Sequence, residues 1–155
     1  MKKIITFILA LCIMNMPLNI RAAEVENNFV EYPNHYFELK NEDETVLYAS
    51  PELAACDLGV GIASNGVSVT YITRATQTAD EIGVKNLVLQ EKTTFGWTDI
   101  TIGNRCGYNR DYYGGSLVYT AAVRGKTYRV CATHYAVFGG VEKTFYSTSP
   151  EITFN

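Results

Sequence analysis

The side chains with the greatest intrinsic reactivity, a cysteine and a histidine, stand three residues apart near the C-terminal end of the chain. A thiol activated by an imidazole is a nucleophile, and the two groups together could also bind a metal ion. Cys131 and His134 lie, however, in a segment whose residues alternate as in a β-strand. Residues three apart in a strand point to opposite faces. The spacing therefore argues against a dyad or a shared metal site, and His35 has no neighbour with metal-ligand spacing.

Paired carboxylates are the second chemistry that the residue types allow. Cleavage of a glycosidic bond needs two of them, separated by about 5–9 Å. The available acids are Asp99, Asp111 and Glu142, and nothing in their spacing selects a pair. The chain also lacks a Gly-x-Ser-x-Gly elbow and a phosphate-binding loop. We therefore expect no enzyme activity, no metal and no cofactor, and a small secreted hydrolase is the least favoured function.

An aromatic segment favours binding instead of catalysis. Residues 107–115 read Gly-Tyr-Asn-Arg-Asp-Tyr-Tyr-Gly-Gly, and the composition predicts a loop over residues 104–115. Tyrosine provides a large amphipathic contact area at low cost in conformational entropy. A purely structural interpretation stays open, because tyrosines also pack over sheet edges and Gly, Asn and Asp are ordinary turn residues. The predicted binding residues are Tyr108, Arg110, Tyr112 and Tyr113.

These side chains need a scaffold, and the sequence from Leu58 onward predicts β-strands. Val67, Val69 and Tyr71 alternate with Ser68 and Thr70 after a tight Asn-Gly turn, which is the clearest strand pattern. A slip in the apolar phase within the strand 82–90 predicts a bulge near residues 85–86. About seven short strands recur without an amphipathic helix between them. The pattern predicts an all-β fold with two antiparallel sheets.

One segment carries a resemblance. Val123-Arg-Gly-Lys-Thr-Tyr-Arg-Val-Cys-Ala132 is similar to the penultimate strand of fibronectin type III and immunoglobulin-like domains, in which a turn glycine precedes Tyr-x-Val. The resemblance extends over residues 57–155 and implies a single β-sandwich of about seven strands. It implies that Tyr128 forms a tyrosine corner, its hydroxyl bonded to upstream backbone, and that Trp97 takes the place of the buried core tryptophan.

The N-terminal residues have the pattern of a signal peptide. Lys2-Lys3 precede an apolar run from Ile4 to Leu18, and Ala22-Ala23 follow as small residues. With this segment, the whole arrangement resembles small secreted proteins of Gram-positive bacteria that consist of a signal peptide and one sandwich. The run is short for a membrane span of about 20 residues. We expect a signal peptide over residues 1–23, with a retained anchor as the alternative, and a secreted or cell-wall-associated protein without a membrane span after cleavage.

Cleavage would change the charge of the protein. It leaves 10 Lys and Arg against 16 Asp and Glu, a net charge of −6, which argues against nucleic acid as a partner. Residues 24–52 alone carry a charge of −7 and predict a flexible acidic arm, ahead of a β-sandwich domain over residues 53–155. A docking segment is the alternative, because aromatic residues interleave with the carboxylates, namely Phe29, Tyr32, Tyr36 and Phe37.

Three cysteines would remain after cleavage, Cys56, Cys106 and Cys131. An odd number in a secreted protein suggests one disulfide and a free thiol, or three reduced thiols. The preferred pair is Cys106–Cys131, since both residues lie in the structured half of the chain.

The predicted function is a non-catalytic binding or surface-interaction module for an extracellular protein or glycan. This prediction depends on fold-level analogy, and sandwiches host many functions. The alternative is a structural or assembly protein that adds its arm or an edge strand to a neighbouring sheet. The oligomeric state stays open.

Overall fold

The computed structural model describes residues 28–32 and 52–155 of the chain. Strands account for 81% of these residues and no helix occurs among them, so the predicted all-β class is confirmed. The predicted signal peptide, residues 1–23, and most of the predicted arm lie outside the described residues. Within the described ranges no helix is long and apolar enough to cross a membrane.

Seven strands pair antiparallel in one sheet. Five of them follow the order β1-β4-β3-β5-β6, while β2 pairs with β3 and β7 pairs with β5. Their bounds are β1 (Phe29–Glu31), β2 (Leu53–Ala63), β3 (Gly66–Thr93), β4 (Gly96–Tyr119), β5 (Thr127–Phe138), β6 (Val141–Thr148) and β7 (Ile152–Thr153).

The strands β3 and β4 are 28 and 24 residues long, against an average of about 5–6 residues. The sequence predicts two separate strands in each of these stretches, and the structure joins them. The polar composition of residues 76–80 predicts a connection between the two strands of the first stretch, and the structure has a bend within β3 there. Between the pairs Arg74↔Tyr112 and Ala79↔Arg110, residues 75–78 of β3 stand opposite Asp111 alone, and such an insertion bends a strand and increases its twist.

The bend brings both halves of β3 into one hydrophobic core. Val67, Val69 and Tyr71 from the first half are buried in the same cluster as Leu87 and Leu89 from the second half. The predicted alternation of the first half is confirmed, since these three residues share the core. Because residues from both sides of the bend meet, the sheet must curve so that its two halves face a common interior.

The predicted bulge near residues 85–86 is confirmed. The pairing of β3 with β4 passes from Val84 to Leu87, and Asn86 has a φ of 53°. Asparagine tolerates this left-handed conformation better than most residues. The irregularity restores the apolar phase, so that Val84 and Leu87 are both fully buried.

A short part of the predicted arm belongs to the sheet. The residues of β1 pair with Leu117–Tyr119 of β4, and the rings of Phe29 and Tyr119 lie 5.0 Å apart. Phe29 packs against the main core cluster, which gives this segment a reason to be ordered. Residues 33–51 lie outside the described residues.

The expected Cys106–Cys131 disulfide is wrong, because Cys56, Cys106 and Cys131 are all free thiols. Cys106 of β4 stands opposite Gly83 and Cys131 of β5 stands opposite Val88, so the two cysteines lie on opposite sides of β3. Two strand spacings amount to about 9.5 Å, beyond the limit of about 7 Å between the Cα atoms of a disulfide.

The two aromatic residues that the resemblance singles out occupy different environments. Trp97 is half-buried opposite Lys92 beside the β3–β4 turn and belongs to neither core cluster, so the expected core tryptophan is not found there. Tyr128 is fully buried. Its hydroxyl accepts a hydrogen bond from the backbone N–H of Val123 at 2.9 Å and donates to Glu91 at 3.0 Å.

Candidate binding surface

The segment predicted as an aromatic loop is a strand, the middle of β4. Its glycines leave room for neighbouring side chains. Composition alone does not distinguish such glycines from glycines that form turns. A Cβ atom on Gly114 would lie 2.6 Å from the hydroxyl of Tyr112, and one on Gly107 would lie 2.9 Å from Nε of Arg110. The loop prediction over residues 104–115 is wrong, because these residues lie within β4. The glycines allow large neighbouring side chains to lie flat along the strand.

Three of the four predicted binding residues, Tyr108, Arg110 and Tyr112, occupy alternate positions of β4, and we call them the outer tyrosine strip. Tyr108 is 60% exposed. Arg110 is exposed and donates from Nε to the backbone carbonyl of Tyr108 at 3.3 Å. Tyr112 is half-buried, and the guanidinium carbon of Arg74 lies 5.3 Å from its ring centroid. These contacts orient the side chains and leave much of their surface to solvent.

The fourth predicted residue, Tyr113, is half-buried, and its ring faces the core. Its ring stacks on Tyr71 with centroids 6.2 Å apart, and it packs against both core clusters. Burial raises the pKa of both phenols, which therefore stay neutral at physiological pH. The structure does not bring Tyr113 together with the outer tyrosine strip.

A second group of polar side chains continues the surface beside Tyr108. In register, Glu81 of β3 stands opposite Tyr108, while Gly83 stands between Cys106 and Tyr135. The hydroxyl of Tyr135 donates to the Glu81 carboxylate, and Cys106 Sγ lies 3.8 Å from the Tyr108 hydroxyl. Burial and the bond to Glu81 raise the pKa of Tyr135, so its hydroxyl remains a donor.

A charged pair borders this second group. Lys85 Nζ lies 5.4 Å from the ring centroid of Tyr135 and forms an ion pair of 2.5 Å with Glu142. The surface thus offers the Tyr108 phenol, the Glu81 carboxylate and the Lys85 ammonium group, whereas Tyr135 is buried and its hydroxyl is bonded to Glu81. Sequence reasoning misses Glu81, Lys85 and Tyr135, because only the strand register places them beside β4.

The candidate carboxylates do not form a catalytic pair. Asp99 accepts a hydrogen bond from Gln90 near the β3–β4 turn, whereas Asp111 lies at the distant bend. Glu142 of β6 is paired with Lys85. The described residues also contain no group of three or more His, Cys, Asp or Glu side chains able to hold a metal ion.

His134 forms a buried polar centre. Its Nδ1 lies 2.7 Å from the hydroxyl of Thr73, and its Nε2 lies 2.9 Å from that of Ser147. Because the Thr73 hydroxyl donates to the carbonyl of Gly83, it accepts from Nδ1–H, which leaves Nε2 to accept from Ser147. Cys131 contacts Gln90 and Thr148 instead, as strand alternation requires.

The polar centre is poorly suited to activating a nucleophile. Burial lowers the pKa of His134 to about 4, so the imidazole is a weak base. Its partner at Nδ1 is the neutral Thr73, where hydrolytic triads place a carboxylate that stabilises the imidazolium. The arrangement ties β5 and β6 to the first half of β3, and we assign it a structural role.

Comparisons with known proteins give no family. No protein-family model matches the chain, and no curated protein matches it significantly. Among solved structures, a protein from Archaeoglobus fulgidus known by its crystal structure is similar at 10% sequence identity, with a TM-score of 0.34. The match covers 66% of this chain and 98% of that protein. At this level the similarity supports no argument about function.

Proposed function

We propose that this chain is an exported, non-catalytic binding module that recognises a protein or glycan through the outer tyrosine strip. The observation that carries the proposal is a difference between the two faces of β4: the half-buried Tyr113 packs against the core, while Tyr108 and Arg110 stay exposed on alternate positions. Aromatic and arginine side chains dominate binding surfaces because they combine a large apolar area with hydrogen bonding. The neighbouring Glu81 carboxylate supplies a further acceptor.

The proposed scaffold is a β-sandwich of the immunoglobulin or fibronectin-III type. Two observations support it. The hydroxyl of Tyr128 bonds the backbone five residues upstream, as the tyrosine corner of those domains bonds upstream backbone. Both halves of β3 also contribute to one core, as two facing layers would. Export rests on the N-terminal sequence and places the partner outside the cell or in the cell wall.

The test measures retention of the exported protein on purified cell walls of the producing organism and on a glycan array. We expect Tyr108→Ala and Tyr112→Ala each to weaken retention by about tenfold, the effect of losing an aromatic anchor. Tyr146→Ala is the matched control, because this residue is 64% exposed on β6, which β3 and β5 separate from β4. Equal retention of all three variants, or no retention of the parent protein, would overturn the proposal.

A second candidate function, assembly by strand addition, is favoured by the open edge of β4. Among the described residues, only Leu117–Tyr119 of this strand pair with β1, while its outer side from Gly96 to Gly115 has no strand partner. Such an edge can accept a strand from another chain. Sedimentation across a wide range of concentrations tests it: assembly predicts concentration-dependent oligomers, and a monomer throughout would eliminate it.

A further inference from the structure

The turn between β3 and β4 presents the most exposed apolar side chain of the described residues. Phe95 is 101% exposed, as much as in an isolated extended chain. Its turn is nevertheless well defined, because the Thr93 hydroxyl accepts from the N–H of Phe95 at 3.3 Å and donates to the carbonyl of Gly96 at 3.1 Å. A phenylalanine held out in water on an ordered turn loses little conformational entropy when it is buried by a partner.

The side chains behind Phe95 follow in order of increasing polarity. One residue pair back from the turn, Trp97 stands opposite Lys92. The guanidinium carbon of Arg129 lies 4.1 Å from the Trp97 ring centroid, and Lys92 Nζ lies 5.3 Å from it. Two positions further back, Gln90 bonds Asp99 at 2.7 Å. The hairpin thus has an apolar tip, then an amphipathic aromatic ring with cations, then a neutral and acidic polar pair.

Further apolar and cationic groups lie at the same end of the sheet. Val123 is 53% exposed, and its N–H bonds the hydroxyl of Tyr128, which stands opposite Glu91 of β3. Arg124 lies over the ring of Phe154 at 5.7 Å. Lys92 and Lys126 are paired with Glu151 and Glu91, whereas neither Arg124 nor Arg129 forms an ion pair with any described residue. Arg124 is exposed, while Arg129 is half-buried and donates from Nε to Gln90 at 2.7 Å, so this end keeps two arginine charges that no described carboxylate neutralises.

We propose that the β3–β4 hairpin tip, Thr93–Trp97 with the flanking Lys92, Arg124 and Arg129, binds the surface of an anionic lipid bilayer. The order of polarity along the hairpin matches that of a bilayer interface, in which an apolar side chain enters the acyl boundary, tryptophan lies at headgroup level and arginine and lysine meet lipid phosphates. A protein partner would more often meet a flat patch whose rim excludes water. This inference is independent of the outer tyrosine strip.

The size of the patch sets the strength of this association. One phenylalanine and two or three cations give weak, reversible binding that requires anionic lipid and falls with salt. The chain reports on this site directly, because Trp97 is its single tryptophan. Its fluorescence emission shifts to shorter wavelength when the indole leaves water.

The experiment titrates the full chain with vesicles of phosphatidylcholine alone and of an equimolar mixture of phosphatidylcholine and phosphatidylglycerol, and records the emission of Trp97. We expect a blue shift with the mixed vesicles only, reversed by high salt. Brominated phosphatidylcholine in the mixed vesicles should quench the emission. Phe95→Ser should weaken the association at least about tenfold, while Tyr146→Ser on β6 should leave it unchanged.

The Trp97 emission also distinguishes vesicle binding through the hairpin from vesicle binding through the apolar N-terminal segment. The protein could sediment with vesicles although the Trp97 emission neither shifts nor is quenched and although Phe95→Ser changes nothing. That result would show association through another part of the chain and would overturn the proposal. Equal shifts with both vesicle types would overturn the anionic preference. An emission shift produced by a soluble polysaccharide but by neither vesicle would make the tip a glycan site instead.

Discussion

Tyr112 and Tyr113 are neighbours in sequence and lie in two different regions of the molecule. Both rings are half-buried, but Tyr113 stacks on Tyr71 and packs against the core, whereas Tyr112 lies along the outside of β4 beneath Arg74. The same residue type thus packs against the core in one region and lies along the outer face in the other. Strand alternation decides between the two roles, since successive side chains point to opposite faces. A tyrosine-rich segment is therefore not by itself a binding site.

The largest expected effect tests the interior region. Tyr128→Ala removes a fully buried ring and should lower the free energy of unfolding by about 3–5 kcal/mol, measured by urea denaturation. Tyr128→Phe keeps the ring and leaves the N–H of Val123 without its acceptor, at a cost of about 1–3 kcal/mol. The exposed Tyr108→Ala should change stability by less than about 0.5 kcal/mol. If Tyr128→Ala costs no more than Tyr108→Ala, the division into interior and exterior tyrosines is wrong.

The buried polar centre should make stability depend on pH. The pKa of His134 is about 4 in the folded protein, below its ordinary value of 6.5, so the unfolded chain binds a proton first as the pH falls. The protein should therefore lose stability between pH 6.5 and pH 4, by up to about 3 kcal/mol, and show no further loss from this group at lower pH.

The measurement is the free energy of unfolding as a function of pH. His134→Gln should flatten this dependence whatever its effect on overall stability. His35→Gln, which changes the other histidine of the chain, should leave the dependence as it is in the parent protein. A parent protein whose stability does not change across this interval would contradict the assignment of a buried neutral imidazole.

The sequence predicts local features of this fold better than their arrangement. The apolar alternation of Val67, Val69 and Tyr71 and the bulge near Asn86 follow from periodicity, and both are confirmed. The continuity of β3 through residues 75–78 does not follow from periodicity. That polar stretch has the composition of a loop, and the pairing of β3 across the sheet orders it. Contacts between distant strands decide such cases, and a single sequence does not display them.

The candidate surface illustrates the same limit. Sequence reasoning finds Tyr108, Arg110 and Tyr112 through their residue types. It misassigns the glycines around them, because a glycine that makes room for a neighbouring ring and a glycine that forms a turn look alike in sequence. The only sequence signal for Phe95 is weak: a phenylalanine beside the turn glycine Gly96. This signal indicates a contact site only when the side chain is known to be exposed.

The free energies of unfolding of Tyr113→Ala and Tyr112→Ala, measured side by side in urea, test the central claim most directly. The two variants remove the same atoms from adjacent positions of β4, so chain composition and unfolded state are matched. We expect Tyr113→Ala to cost about 2–3 kcal/mol, because a packed ring leaves a cavity, and Tyr112→Ala to cost less than about 1 kcal/mol. Equal losses, or a larger loss for Tyr112→Ala, would contradict the account of a strand with one structural and one binding face.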